Sequence, residues 1–289
     1  MNQSRGIFLI LGAAILWGTT GTSQALMPAE RSSLAVGALR LLIGGGCLLG
    51  LSIIRGKFCL KGLPATKIAL AGVCIALYQV CFFLGVSYTG VAAGTIVGIG
   101  SSPIFAGLLD WHFCGIRPQP RWYLSTTIAI AGCMLLVLSA GDIHIDPLGI
   151  ILAMGAGLAY SAFTLVAKLI ISRHPAENAT ALIFAVGALL TLPFLIFTNL
   201  DWLCQTRGWL PVVHLGVIAT ALSYWLFSRG LTLVPVSTAV TLSLAEPMTA
   251  ALLGVFVLGE RLPVFAWLGL IMILAALVVL AMPQKVQKL

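Results

Sequence analysis

Charge is scarce in this 289-residue chain: Asp, Glu, Lys and Arg make up only 8% of it, and just eight residues are acidic. Soluble domains carry roughly 25% charged residues. Here hydrophobic residues reach 60% and the mean hydropathy is +1.09, so a soluble fold is excluded. The sixteen Lys and Arg are scattered over loops rather than gathered into a patch, which excludes a nucleic-acid partner. There is no G-x-x-x-x-G-K-[ST] loop, so the chain cannot drive pumping with ATP by itself. The seven cysteines (Cys47, Cys59, Cys74, Cys81, Cys114, Cys133 and Cys204) show neither C-x-x-C nor Cys/His spacing. No metal or cofactor is expected from them, and they read as small packing residues.

What the chain has in abundance is long apolar runs, each near the roughly 20 residues that cross a bilayer. Ten are predicted, over 6–27, 32–54, 67–88, 91–111, 121–140, 148–170, 178–198, 209–228, 235–257 and 263–282. The connections are too short for a separate soluble domain. Placing the N-terminus in the cytoplasm puts twelve of the sixteen cations on that side: Arg5, Arg55, Lys57, Lys61, Lys67, Arg117, Arg121, Lys168, Arg173, Arg229, Lys285 and Lys288. Arg31, Arg207 and Arg261 fall opposite, and Arg40 lies inside a span. The positive-inside rule therefore predicts a multi-pass plasma-membrane protein with both termini cytoplasmic. Five acids (Glu30, Asp142, Asp146, Asp201 and Glu260) fall outside, but acids contribute little to that rule. Ser23-Gln24-Ala25 resembles a signal-peptide cleavage site, yet the apolar run before it is long for a signal.

The sequence also repeats itself. GIFLILGAAILWGTTGT from Gly6 sets against GIILAMGAGLAYSAFTL from Gly149, which matches Trp17 with Tyr160. Further on, SSPIFAGLLDWHFCGIRP sets against AEPMTAALLGVFVLGERL, matching Pro103 with Pro247 and Gly115 with Gly259. Each half holds five spans. Five is odd, so the second half must enter the membrane inverted. The predicted fold is all-α and membrane-integral: ten transmembrane helices in two inverted five-helix repeats, residues 1–141 and 142–289. Such repeats hold a substrate near the midplane and provide a gate on each face.

Glu246 is the residue that most needs explaining, because an ionised carboxylate at mid-depth costs roughly 2.5–3.5 kcal/mol on insertion scales. It can serve as a proton site, anchor a substrate amine, or brace the chain beside Pro247. Arg40 can pair with an acid, bind a carboxylate in fork geometry, or snorkel to the interface. His214 can relay a proton or simply pack. Trp17, Tyr78, Tyr160, Tyr224 and Trp225 lie deep enough to line a pocket, with Thr20, Gln24, Gln79 and Ser102 as polar partners. Trp111, Trp122, Trp202, Trp209 and Trp267 sit near span ends and read as an interfacial belt. Pro103 and Pro247 are expected to kink their helices and are candidate hinges, while Gly94 and Gly98 suit close helix packing. Asp110 and His112 form the one close acid/His pair at a span end, without a nucleophile beside them, so an enzyme is not expected.

Trp17-Gly18 in the first span, Arg40 in the second, Ala245-Glu246-Pro247 and Gly259-Glu260-Arg261 in the ninth follow one another across this duplicated scaffold. In that order they resemble the drug/metabolite transporter superfamily, and within it the EamA-type ten-helix exporters. The resemblance covers nearly the whole chain. It implies a carrier of the cytoplasmic membrane, often an exporter of amino acids or related metabolites, with a central cavity between the repeats. The expected partners are a small-molecule substrate and the lipid bilayer, and one chain suffices for function. The halves differ where it matters: Ser102 and Ile116 stand where the second half has Glu246 and Glu260. Proton coupling through Glu246 is an added hypothesis of the carrier reading, and an uncoupled facilitator or channel is the alternative to it. There is no mid-membrane basic pair of the nucleotide-sugar type.

Overall fold

In lipid every backbone polar group must be satisfied within the chain, which leaves helices as the natural outcome for these apolar runs. A computed structural model describes residues 2–138 and 146–282. Asp142, Lys285, Lys288 and the predicted boundary between the halves lie outside the described residues. The helices are α1 (Asn2–Ala25), α2 (Ser33–Ile54), α3 (Ala65–Cys114), α4 (Pro120–Leu138), α5 (Pro147–Ile171), α6 (Ala176–Thr191) and the single turn α7 (Pro193–Ile196). They continue with α8 (Thr206–Gly216), a π-helical segment (Val217–Leu222), α9 (Ser223–Leu231), α10 (Val236–Leu242), α11 (Ala245–Leu258) and α12 (Val264–Ala281). A short 3₁₀ turn at Asp201–Cys204 precedes α8.

Local sequence sets the helix ends. Ser32 caps α2 by accepting from the Ala35 N–H, and Asp146 caps α5 by accepting from Gly149, with Pro147 in the first turn. Gly115 and Gly259, matched by the repeat, both end their helices in the left-handed conformation.

Among the described residues, nine helices are long and apolar enough to cross a membrane. The predicted spans 67–88 and 91–111 form one helical run, α3, folded back on itself at Gly90 (φ 79°, ψ 164°). Only glycine enters that region readily. The fold-back brings Gly94 against Val86 and Gly98 against Phe82. The close approach expected of these glycines is thus made first within their own hairpin. The two prolines differ. Pro247 offers no N–H to Ser243, so Glu246 bonds back to the Ser243 carbonyl instead (2.9 Å), and the ninth span breaks into α10 and α11. Around Pro103, α3 keeps helical φ/ψ; its only departure is at Gly90.

Helices α1 and α5 carry the matched repeat segments. Helix α1 packs on α9 and α11, and α5 packs on α3; α2 pairs with α6, and α4 with α12. Small residues allow the approach. A side chain on Gly6 would strike Leu233 and the Gly230 carbonyl, and one on Gly149 would strike Tyr88 and the Gly85 carbonyl. Large apolar side chains such as Phe8, Ile151, Phe256 and Val264 point outward, as a lipid-facing surface requires. Trp111, Trp209 and Trp267 are exposed there too, but Trp122 and Trp202 are buried. Trp122 Nε1 donates to Thr241 Oγ1 (2.9 Å) and Trp202 Nε1 to the Asn199 carbonyl (3.1 Å), which turns both rings inward and out of the expected belt. Only Cys74 and Cys133 are buried packing residues; Cys47, Cys59 and Cys204 are exposed.

Candidate functional site

Helices from both halves enclose a polar cavity of about 40 Å³ in mid-bundle. Trp17 from α1, Arg40 from α2, and Tyr78, Ile99 and Ser102 from the two arms of α3 line one side. Tyr160 from α5, Tyr224 from α9, Val240 from α10, Ser243 from the break after it and Glu246 from α11 line the other. Seven of the lining residues were singled out in the sequence. Ser243 was not, because a serine inside an apolar helix carries no signal of its own; its place is set by the break that Pro247 imposes.

Aromatic rings frame the cavity. Trp17 lies 4.9 Å from Tyr224 and 6.3 Å, edge-on, from its repeat mate Tyr160; Tyr78 lies 5.5 Å from Tyr160. The Tyr160 hydroxyl meets Ser243 Oγ at 3.2 Å. Trp17 Nε1 is buried without a hydrogen-bond partner, an unused donor at the edge of the site. Arg40 Nε donates to Thr220 Oγ1 (3.2 Å), and Thr220 sits on the π-helical segment, a distortion often found at working sites. Arg40 and Glu246 face the same cavity without a direct ion pair, and the guanidinium charge acts on the carboxylate across it. The site therefore offers a carboxylate, a guanidinium, two serine and three tyrosine hydroxyls, and aromatic walls. One water needs roughly 10–15 Å³ of such cavity space, so this cavity has room for a few waters at most. A metabolite enters only when the helices part.

The remaining predicted residues lie elsewhere. Gln79 is buried and donates to the Gly37 carbonyl (3.5 Å), joining α3 to α2. Thr20 Oγ1 is buried and unpartnered off the cavity, and Gln24 is half-buried in the last turn of α1. The Thr19 hydroxyl donates to the Leu16 carbonyl (2.7 Å), which leaves its oxygen to accept from His214 Nε2 (2.9 Å). His214 is thus a tie between α8 and α1 and does not line the cavity. Trp225 is likewise absent from the cavity. Its ring lies under Arg229 (4.4 Å) and Arg55 (5.3 Å) at one end of the bundle.

That end holds what sequence reading missed. Glu177, in the first turn of α6, is buried, and its Oε1 meets Arg229 (3.1 Å), Lys57 (3.3 Å) and Arg55 (3.8 Å). Next to it Asn178 donates to the Cys59 carbonyl (2.6 Å). Lys168 donates to the carbonyls of Leu231, the last residue of α9, and of Val234 just beyond it (both 2.6 Å). Asp110 is buried and accepts from both N–H and Oγ of Ser237 (2.9 Å each), and the His112 ring meets Phe113 edge-on instead of pairing with Asp110. Among the described residues no group of His, Cys, Asp and Glu is arranged to hold a metal.

A family model for EamA-like transporters matches the chain twice, over residues 4–138 and 147–282. The chain belongs to the EamA-like transporter family. It is 44% identical to the uncharacterized transporter YwfM of Bacillus subtilis over 277 residues, covering 96% of this chain and 94% of that one. It is 28% identical to the threonine/homoserine exporter RhtA of Escherichia coli K12, covering 93% and 88%. A solved crystal structure superposes with a TM-score of 0.82 at 21% identity, covering 95% of this chain and 97% of the other, and supports the fold alone. As a member of the EamA-like family the protein is a multi-pass secondary transporter, not an enzyme, and moves small metabolites across a membrane.

Proposed function

We propose that this EamA-like protein exports amino acids or closely related zwitterions by alternating access. The observation that carries the reading is the pair of opposite charges facing one cavity, Arg40 from the first half and Glu246 from the second. A guanidinium suits a substrate carboxylate in fork geometry, a carboxylate suits its amine, and the aromatic walls take the side chain. The threonine/homoserine specificity printed for RhtA points to the same chemical class. Glu246 is also the proton-coupling group, since in an occluded cavity it must exchange a proton or a cationic partner in every cycle.

The double match to the family model and the reciprocal packing, α1 on α9 and α11 against α5 on α3, support two inverted five-span repeats with the substrate at their interface. The distribution of Lys and Arg supports cytoplasmic termini, with the Glu177 end facing the cytoplasm. A single chain supplies every residue of the cavity, which favours a monomeric transport unit. A water-scale cavity favours a carrier over an uncoupled facilitator or channel.

The test is counterflow in proteoliposomes of the purified protein, preloaded separately with amino acids, amines and carboxylates. Accumulation of labelled amino acid, driven only by its unlabelled form inside, is expected. Arg40→Gln should weaken transport of zwitterions more than of simple amines. Glu246→Gln should abolish the pH dependence. Rapid leak of several solutes without counterflow would replace the carrier by a channel, and full pH-dependent activity in Glu246→Gln would remove the coupling role.

A further inference from the structure

A second concavity, of about 480 Å³, lies on the lipid-facing side between the second arm of α3 and α4. Its walls include Ile104, Leu108, Trp111, Trp122, Ile130 and Met134, and its few polar atoms suit no zwitterion. From Trp122 to Met134 it follows α4 for twelve residues, about 18 Å at 1.5 Å per residue. One leaflet contributes about 15 Å of hydrocarbon, so the groove has the length of a single acyl chain.

Its floor is fixed. Gly107 leaves room for the Trp122 ring, which would lie 2.5 Å from a Cβ at that position, and Trp122 is tied to Thr241 on α10. Two arginines stand beside one end of the groove. Arg117 lies 5.4 Å over the ring of Trp111, a lining residue, and Arg121 immediately precedes the lining residues Trp122 and Tyr123 at the start of α4. Neither arginine has an ion-pair partner among the described residues, and Arg121 Nη2 is buried with no hydrogen bond. Two guanidinium groups without a carboxylate partner, beside a chain-length apolar slot, match the two parts of an anionic lipid: forked donors for phosphate and a dry wall for hydrocarbon.

We propose that this groove binds one anionic phospholipid, an acyl chain lying between α3 and α4 and the phosphate held by Arg117 and Arg121. The site is separate from the transport cavity, and its test does not depend on the transport reading.

Delipidated protein in neutral detergent is titrated with phosphatidylglycerol or phosphatidylcholine of identical chains, and bound lipid is counted by native mass spectrometry. One phosphatidylglycerol is expected to bind at least about tenfold more tightly than phosphatidylcholine, and R117Q/R121Q should erase that preference. Thr127→Trp places a ring in the groove from an exposed position on α4, and should weaken both lipids while leaving the lipid-free melting temperature in place. Equal affinity for the two lipids, a preference that survives the double arginine change, or phosphatidylglycerol binding unaffected by Thr127→Trp would each overturn the proposal.

Discussion

The two ends of the bundle are held shut by different kinds of bond. At one end a buried carboxylate, Glu177, gathers three cations, Trp225 carries two of them on its ring, and Asp110 and Lys168 tie α3 and α5 to the α9–α10 corner. At the other end the ties named among the described residues are neutral or local. Thr19 meets His214, Trp202 bonds to Asn199, and Arg31 donates to the Pro28 carbonyl within its own turn. A half-buried charge cluster is costly to part, because each ion must be rehydrated or left unpaired. A neutral hydrogen bond exchanges with water at a net cost of about 1 kcal/mol. The difference predicts a ranking of the exits: the neutral end is expected to part before the charged end, which substrate binding would then have to release.

The largest blow to this ranking should come from Glu177→Gln, which strips the shared anion from three cations. The expected loss is about 2 kcal/mol, below the 3–5 typical of fully buried pairs because the cations are partly solvated. Thermal unfolding in detergent measures it, and an unchanged melting temperature would show the cluster to be idle. Asp110→Asn comes next, at about 1–2 kcal/mol, since it weakens two charge-assisted bonds to Ser237. It should also speed maleimide labelling of Cys114, which lies four residues on at the same end; unchanged labelling would separate Asp110 from the gate. Thr19→Val should have the smallest effect, about 0.5–1 kcal/mol, because it removes one neutral tie to His214. Equal losses for Thr19→Val and Glu177→Gln would erase the asymmetry.

How far the sequence could be read depends on the range of the interaction involved. Spans follow from local composition, and the places of Trp17, Tyr160 and Glu246 follow from depth and the repeat, so most of the cavity lining was foreseeable. The Glu177 cluster was not. Read along the chain, Glu177 is an ordinary acid at the start of a helix, and its partners lie about 120 residues before it and 52 after it. Trp225 was misplaced for a related reason: its depth suits a cavity, but a neighbouring turn of helix aims it at Arg55 and Arg229 instead. Pro103 and Pro247 are matched in sequence yet differ in effect, because one sits inside a continuous helix and the other three residues into a new one. No local motif announced the π-helical segment.

That segment has a mechanical consequence. From Thr220 to Arg229 the chain is one continuous helical rod bearing the Arg40 contact, the cavity wall at Tyr224 and a cation of the Glu177 cluster. Residues in an α-helix are spaced by about 100°, so removing the extra residue held in the π turn would rotate Tyr224 and Arg229 together by about that angle. A single change in winding would thus alter the cavity and loosen the charged gate in one stroke, as a crankshaft turns two throws at once.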